Sequence, residues 1–406
     1  MNKEFVFQMH ELYGDTFYVL NEKTFLNNYR NMLQAFQSIY PDTAIAYSYK
    51  TNYIPTLCKL IEEQGGYAEI VSEMELWLCG KSGIPFEHIF YNGPYKKADV
   101  IESFLLKGGH LNIDAFYEAE MLLEIARKYP DHEFQVGIRA SLDIDQDRPS
   151  RFGFDLNNGD FEKAIHILNR EKNIKVIGIH SHLPYRSLDS YRPRMKQIGK
   201  AIELYAAAGC QDLKYVSVGG GFMGPMSEEL ALEMPSGNAA FDDYAGIVGE
   251  EFKKSCEKTG SHPMLILEPG SALAANAMSL VTKVVNIKRC RNKYYATLSG
   301  STYNMNPSVK GINRPIEIIE GSKKRGERKD SVDFVGYTCI EGDVLYRDYK
   351  GCLEEGDSII FNNVGSYSIG MKPPFILPDI AILSYDTGKL IRKAQDSEQV
   401  FENFII

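Results

Sequence analysis

The chain has 406 residues, 44% hydrophobic and 24% charged, which suits a globular protein of two domains or one large barrel with an appendage. A formal net charge of −9 without a Lys/Arg-rich tract excludes the basic face of a nucleic-acid-binding protein. Seven cysteines without a CxxC pair, and no apolar run long enough for a signal peptide or a membrane span, predict a cytoplasmic, reduced protein with no metal site and no membrane partner.

From about residue 25 to residue 270, short apolar runs alternate with amphipathic stretches such as 54–63, 73–81, 115–128 and 192–208. Strands alternating with helices predict parallel βαβ units, and eight such strands favour a closed (β/α)8 barrel over an open doubly wound sheet. The predicted strands are 44–50, 67–72, 89–94, 110–114, 134–140, 175–182, 215–221 and 263–270.

After residue 270 the helical periodicity ends and strand-like runs separated by turn residues follow. We therefore predict an α/β protein with two domains: a barrel over 25–270, and an all-β domain formed by 1–24 and 271–406. The predicted strands of this second domain are 15–20, 281–289, 293–299, 314–319, 331–337, 357–362 and 379–383.

Lys50 is predicted to close the first barrel strand, on the same face as Ala46 and Ser48. The carboxyl ends of barrel strands line the active site, so a lysine there is positioned to act as a Schiff-base nucleophile. The alternative is a solvated lysine one residue beyond the strand, which is the commoner situation for a single lysine.

Three more strand ends carry chemically informative residues. His182, at the end of the sixth strand, suits cofactor stacking or a hydrogen-bonded core equally. A metal is the weakest option, because no acidic or cysteine ligand lies beside it. Gly219, Gly220 and Gly221, at the end of the seventh, favour a phosphate site over a tight turn. Glu268, at the end of the eighth, needs a cationic partner such as a protonated pyridine or an arginine. Together with Lys50 they form the pattern of a pyridoxal-phosphate (PLP) site.

These residues resemble the fold-type III PLP-dependent decarboxylases, the family of diaminopimelate, ornithine and arginine decarboxylases. The resemblance covers nearly the whole chain, and all seven motifs in this order are specific, although EPG or GSY alone is weak. The matching segments are YGDTFYV (13–19), AYSYKTN (46–52), GIHSH (178–182), VGGGF (218–222), EPG (268–270), CIEGD (339–343) and GSY (365–367).

The resemblance implies PLP as the cofactor and decarboxylation of an amino acid as the reaction. It implies that Lys50 holds the cofactor covalently, that His182 stacks on its ring and that Glu268 binds the pyridine nitrogen. The glycine run and Tyr367 would contact the phosphate.

The resemblance also implies a homodimer, in which Cys339 reaches across the interface as the catalytic acid. Reprotonation of the substrate carbon would fall to Cys339 or Lys50. The alternatives are an alanine-racemase-like enzyme, which Glu268 argues against, and a non-catalytic homologue or PLP carrier, which retention of Lys50, Glu268 and Cys339 argues against.

Several positions depart from the family pattern. Ser271 replaces the arginine after EPG, the segment after His182 lacks the usual serine, and Ile340 and Ser299 replace acidic residues that read a distal amine. We therefore expect a larger, neutral or modified amino acid of a biosynthetic pathway rather than ornithine, lysine or meso-diaminopimelate. Arg186 is a candidate receptor for an anionic group on such a substrate, although a surface role is commoner for a single loop arginine.

Overall fold

The structure is a computed structural model that describes residues 1–144, 149–234, 238–309, 311–321, 326–372 and 374–405. Its strands are β1 (Phe17–Leu20), β2 (Thr43–Ser48), β3 (Tyr67–Ile70), β4 (Ile89–Tyr91), β5 (His110–Ile113), β6 (Phe134–Ser141), β7 (Phe154–Asp155), β8 (Ile174–His180), β9 (Tyr215–Ser217), β10 (Met264–Leu267), β11 (Met278–Cys290), β12 (Lys293–Leu298), β13 (Ile316–Ile319), β14 (Lys329–Val335), β15 (Val344–Gly351), β16 (Ser358–Phe361), β17 (Ala381–Ser384) and β18 (Leu390–Arg392). Its α-helices are α1 (Lys3–Tyr13), α2 (Glu22–Gln37), α3 (Pro55–Glu63), α4 (Glu73–Ser82), α5 (Ala98–Leu106), α6 (Phe116–Lys128), α7 (Asp160–Leu168), α8 (Tyr191–Ala207), α9 (Glu228–Glu233), α10 (Phe241–Thr259), α11 (Ser271–Ala274) and α12 (Ser397–Phe401).

Eight parallel strands of the described residues close into a barrel. Their order is β5, β4, β3, β2, β10, β9, β8 and β6, and pairing of β5 with β6 completes the ring. The short β7 extends the sheet beside β6. Helices connect successive strands because parallel neighbours need a crossover. The predicted (β/α)8 barrel is confirmed.

The barrel strands are buried almost throughout, which explains their continuous apolar runs. Tyr215 of β9 fills part of the interior and packs with Ala46, Phe90 and Ile266. A Cβ atom on Gly178 would lie 2.1 Å from Tyr215 Cζ, so this glycine is required to admit the aromatic ring. The interior is therefore a packed core of side chains, as in other barrels of this type.

The second sheet is mostly antiparallel, in the order β15, β14, β12, β11, β1, β17 and β18, with β16 joining β11 to β13. The strand near the amino terminus, β1, lies in this sheet, where it pairs with β11 and β17. The expectation of an all-β domain is incomplete, because α1 packs Val6 and Met9 into the same core as Phe17 and Val281. The sequence analysis also missed β15, whose residues are mostly half-buried or exposed and carry little apolar alternation.

The chain forms two compact units. One comprises the described residues of Met1–Phe25, Pro225–Asn238 and Leu273–Ile406, hereafter the β unit; the other, hereafter the barrel unit, comprises those of Leu26–Gly224 and Ala239–Ala272. Pro225–Asn238, part of the segment between β9 and α10, thus groups with the β unit, a grouping that no sequence pattern indicated. Within the described ranges, no helix has the length and apolar character needed to cross a bilayer.

Candidate active site

Lys50 lies just past β2, in the 3-10 turn Tyr49–Thr51, so the strand ends two residues earlier than predicted. Its ammonium forms an ion pair with Glu69, which is only 1% exposed and also accepts a hydrogen bond from Ser48. The Lys50 side chain is itself 32% exposed. The strand does end before Lys50, as in the alternative interpretation, and a buried carboxylate pairs with its amine at the carboxyl end of the barrel.

Glu268 follows β10 and is 2% exposed. Its Oε1 accepts hydrogen bonds from Ser217 Oγ at 2.7 Å and Asn92 Nδ2 at 3.0 Å, and its Oε2 lies 3.1 Å from His180 Nε2. Burial by itself raises the pKa of this carboxyl, but the charge and hydrogen bond of His180, together with Lys50 and Ser217, outweigh burial and lower the pKa to about 2. Glu268 is thus a buried, ionised acceptor suited to a cationic N–H group.

His182 follows β8 and remains half-buried. Its Nδ1 accepts a hydrogen bond from the backbone N–H of Gly220 at 3.0 Å, which leaves the ring proton on Nε2. Burial, reinforced by the positive charges of Lys50 and Arg139, lowers its pKa well below the usual value. The ring is therefore neutral and fixed in orientation, as a stacking surface for a planar cofactor requires.

The glycine run lies between the segments that follow β8 and β10. Gly219 and Gly221 have φ angles of +71° and +91°, in the left-handed region that favours glycine. A Cβ on Gly220 would lie 2.6 Å from the Glu268 carbonyl oxygen. From α8, Arg194 donates to the Gly220 carbonyl at 3.0 Å. The glycines are thus required for close packing, and contact with a phosphate stays a prediction.

Arg186 and Ser271, which the sequence pointed to for separate reasons, meet in the barrel unit. The guanidinium of Arg186 donates to Ser271 Oγ at 3.2 Å. The backbone carbonyl of Arg186 accepts a hydrogen bond from the Tyr244 hydroxyl at 2.5 Å. Arg186 is half-buried rather than a fully exposed loop residue. The guanidinium therefore lies beside the position where the family pattern has its own arginine.

The β unit contains the remaining predicted site residues. Cys339 and Ile340 are exposed on the loop between β14 and β15, and buried Asp343 anchors that loop by accepting from Thr338 Oγ1 at 2.7 Å. Tyr367 is half-buried with a φ of +60°, an uncommon conformation for a residue with a side chain. Strained backbone of this kind concentrates at functional loops.

Ser299, predicted to contact substrate, uses its hydroxyl within the β unit. It accepts from Thr16 Oγ1 at 2.7 Å and from the Lys283 N–H at 2.8 Å, and it donates to the Asp15 carbonyl at 3.0 Å. These bonds link β11 and β12 to the segment that enters β1. They are structural, and substrate contact by Ser299 stays a prediction.

The sequence reasoning missed several polar residues at the strand ends. A charged or amide side chain inside a buried strand was the available signal, because such a group is costly to bury without a partner. Arg139 pairs with Asp114 at 3.0 Å, and both are at most 6% exposed. The missed barrel residues are Glu69, Asn92, Asn112, Asp114, Arg139 and Ser217.

Arg314 of the β unit was also missed, and no sequence signal distinguished it. Burial lowers the pKa of its guanidinium to about 10, and it donates to the Asn363 carbonyl at 2.9 Å. Among the described residues it has no acidic partner. A cation held in this way is suited to an anionic ligand.

An amine, a neutral imidazole and a buried ionised carboxylate at the carboxyl end of a (β/α)8 barrel are the groups that a PLP enzyme requires. Their chemistry fits the cofactor: an amine for its aldehyde, a carboxylate for its ring nitrogen and a flat ring for its face. Residues 26–275 match the model of the family "Pyridoxal-dependent decarboxylase, pyridoxal binding domain", and the chain belongs to this family.

Similar proteins support the same class. The diaminopimelate decarboxylase of Aquifex aeolicus is 27% identical over 97% of this chain and 93% of its own length, and that of Bacillus subtilis is 24% identical over 96% and 91%. The crystal structure of diaminopimelate decarboxylase from M. jannaschii with L-lysine shares the fold, with a TM-score of 0.87 and 23% identity, covering 98% of this chain and 94% of that one. The protein is a PLP-dependent carboxy-lyase acting on an amino acid, and the racemase and non-catalytic alternatives are set aside.

Proposed function

We propose that this decarboxylase acts on an amino acid whose far end carries a carboxylate or another anionic group, received by Arg186. The observation that carries the proposal is the 3.2 Å hydrogen bond from Arg186 to Ser271. An arginine guanidinium binds a carboxylate through two parallel hydrogen bonds, and a neutral hydroxyl uses only part of that capacity.

Replacement of the family's arginine by Ser271 would by itself leave the distal carboxylate of meso-diaminopimelate without a cationic partner. Arg186 beside Ser271 removes that argument, and the relatives are named diaminopimelate decarboxylases. The proposal therefore includes meso-diaminopimelate together with larger amino acids that end in an acid. Ile340 still argues against ornithine, lysine and arginine, whose distal cations need an acidic partner.

Bound PLP supplies an electron sink for cleavage of the bond between Cα and the substrate carboxylate. In our assignment Lys50 attaches the cofactor, Glu268 keeps the ring nitrogen protonated and His182 supports the ring face. The glycine run and Tyr367 hold the phosphate. The fixed, neutral imidazole and the ionised carboxylate described above support these roles.

We further propose that the protein is a cytoplasmic homodimer with shared sites. In this proposal residues 25–270 bind PLP, while 1–24 and 271–406 contribute to the dimer and to the partner's site. Cys339 or Lys50 then returns a proton to Cα as general acid. Exposure of Cys339 and Ile340 on an anchored loop supports delivery to a neighbouring subunit.

The test is carbon dioxide release from substrates that differ only at the far end. Nε-succinyl-lysine, Nε-acetyl-lysine and lysine present an anionic, a neutral and a cationic end, and meso-diaminopimelate is assayed beside them. The lysine compounds are assayed in both configurations at Cα. We expect acid-ended compounds to be preferred.

A variant of the receptor makes the test specific. Arg186→Gln should lower kcat/KM for the acid-ended substrates by ~10²-fold, the effect of removing one partner of a partly buried charge pair. Arg192→Gln, which changes a nearby exposed arginine on α8, should leave kcat/KM for these substrates unchanged. Preference for Nε-acetyl-lysine, or turnover of succinyl-lysine unaffected by Arg186→Gln, contradicts the proposal.

A further inference from the structure

Asn92, immediately after β4, contacts both carboxylates of the site. Its side-chain NH2 donates to Glu69 Oε1 at 3.1 Å and to Glu268 Oε1 at 3.0 Å. All three residues are at most 3% exposed. Glu69 is the partner of Lys50, and Glu268 is the residue assigned to the cofactor's ring nitrogen. One amide therefore bridges the carboxylate that pairs with Lys50 and the carboxylate that would bind the cofactor's ring nitrogen.

The orientation of this amide follows from the chemistry of its neighbours. Ionised carboxylates only accept hydrogen bonds, so the NH2 of Asn92 must face them. Its Oδ1 accepts from Asn112 Nδ2 at 2.7 Å, and Asn112 Oδ1 in turn accepts from the Tyr215 hydroxyl at 2.8 Å. Each hydrogen bond in this chain pairs a donor with an acceptor, which leaves one arrangement of both amides.

The far end of the chain is rigid. Tyr215 lies in the barrel core, where a Cβ on Gly178 would approach its ring to 2.1 Å and a Cβ on Gly137 would approach its hydroxyl to 2.3 Å. The ring therefore fits in one place only. Because Asn112 is hydrogen-bonded to both Tyr215 and Asn92, the fixed position of Tyr215 also fixes the orientation of the Asn92 amide.

Two buried carboxylates close together favour uptake of a proton by one of them unless donors stabilise both negative charges. Glu69 accepts hydrogen bonds from Lys50 and Ser48. Glu268 is hydrogen-bonded to His180 and Ser217. Asn92 donates to both carboxylates. The other charged or titratable groups that interact with this pair include Lys50, Glu75, Arg139, His180, His182 and Tyr215.

We propose that Asn92 is a positioning residue that holds the carboxylates of Glu69 and Glu268 together through its two N–H bonds and thereby couples the group beside Lys50 to the group beside the cofactor's ring nitrogen. The inference rests on the proposed roles of Lys50 and Glu268. Asn92 itself transfers no proton and makes no bond to substrate.

The test is a spectrophotometric pH titration of the cofactor bound in the holoenzyme. In Asn92→Ala one carboxylate should take up a proton and the negative charge near the Lys50 linkage should fall. The midpoint of the absorbance change should then move to lower pH by about one unit, since loss of a nearby opposite charge disfavours the protonated linkage. Asn112→Leu removes the bond to Asn92 Oδ1 but leaves every group that touches the carboxylates in place. It should therefore shift the midpoint in the same direction by a smaller amount.

Asn173→Ala is the matched control, because Asn173 donates to three backbone carbonyls, of Ala126, Tyr129 and His132. It should lower the melting temperature without moving the midpoint. A midpoint that stays unchanged in Asn92→Ala, or that moves to higher pH, overturns the proposal; if Asn92→Ala fails to retain cofactor, Asn112→Leu decides by the same criterion. Borohydride labelling separates the two levels of inference: label on another lysine overturns the role of Lys50, whereas label on Lys50 with an unmoved midpoint overturns only the role of Asn92.

Discussion

The backbone N–H of Gly220 donates to Nδ1 of His182 at 3.0 Å, and this bond decides which ring nitrogen carries the proton. Since the pKa of His182 is lowered well below its usual value by burial, the ring stays neutral across the physiological range. The two facts together make His182 a fixed aromatic plane rather than an acid or a base.

If His182 serves only as a flat ring that stacks on the cofactor, another aromatic side chain should be able to take its place. His182→Phe should keep the dissociation constant of PLP within a few-fold of wild type, whereas His182→Ala should raise it roughly tenfold, the size of one aromatic stacking contact. Absorbance titration of apoprotein with PLP measures both. Because the pKa of His182 is lowered, PLP affinity in wild type should not fall as pH drops through 6.5, the ordinary pKa of histidine. A loss of affinity there that His182→Phe abolishes would show that His182 titrates.

Lys50 should carry the cofactor. Because Glu69 holds its amine at the barrel mouth, reduction of the holoenzyme with borohydride should fix the phosphopyridoxyl group on Lys50, and peptide mapping should find it there. Lys50→Ala should lose the label and the activity. Lys96, buried in an ion pair with Glu118 at 2.9 Å, is the internal control and should stay unlabelled. Label on any other lysine makes the assignment wrong.

Glu268 should matter for turnover more than for substrate binding. Glu268→Gln keeps the shape and one acceptor oxygen but removes the charge, so PLP should still bind while kcat falls by ~10²-fold or more. Steady-state kinetics with the preferred substrate measure the split between kcat and KM. Unchanged kcat with a raised KM would instead place Glu268 in substrate binding.

Glu75 predicts how the stability of the apoprotein depends on pH. Burial, reinforced by the charge of Glu69, raises its pKa to about 7 despite a 2.6 Å hydrogen bond from the Val71 N–H. Between its unfolded pKa of 4.5 and about 7, the folded state binds more protons than the unfolded state. This carboxyl therefore lowers the free energy of unfolding as pH rises through that window, by roughly 3 kcal/mol at most.

Urea unfolding at several pH values tests the effect of Glu75. Glu75→Gln should gain stability relative to wild type as pH rises from 4.5 to 7, with the difference levelling off above that range. Glu73→Gln is the control on the same helix, because Glu73 is a solvent-facing residue paired with Lys97 at 3.0 Å. A constant difference between wild type and Glu75→Gln would show that Glu75 does not titrate in this window.

The proposed sharing of sites between subunits predicts complementation. Lys50→Ala and Cys339→Ala homodimers should both be inactive or nearly so, and a heterodimer of the two should contain one site with both residues intact. Activity should therefore return on mixing, up to about a quarter of wild type for statistical exchange. Demonstrated subunit exchange without recovery would disprove the shared site.

The strand ends of the barrel show how far sequence patterns predict this structure. The alternation of apolar runs and helical patterns was enough to predict a (β/α)8 barrel with Lys50, His182 and Glu268 near its carboxyl edge. The predicted strands ran too far along the chain: β2, β8 and β9 end earlier, at Ser48, His180 and Ser217. Beyond those points polar side chains and glycines form loop contacts, and local pattern carries no information on those contacts.

What the sequence determined by itself is the fold class, the cofactor and the lysine expected to hold it, because periodicity and ordered motifs are local properties of the chain. Tertiary structure alone decided which groups meet. Asn92 reaches both Glu69 and Glu268, and Arg186 reaches Ser271, across 85 positions of sequence. These contacts arise because barrel closure brings the ends of distant strands together, and hydrogen bonds between buried groups then select their partners by distance and chemistry.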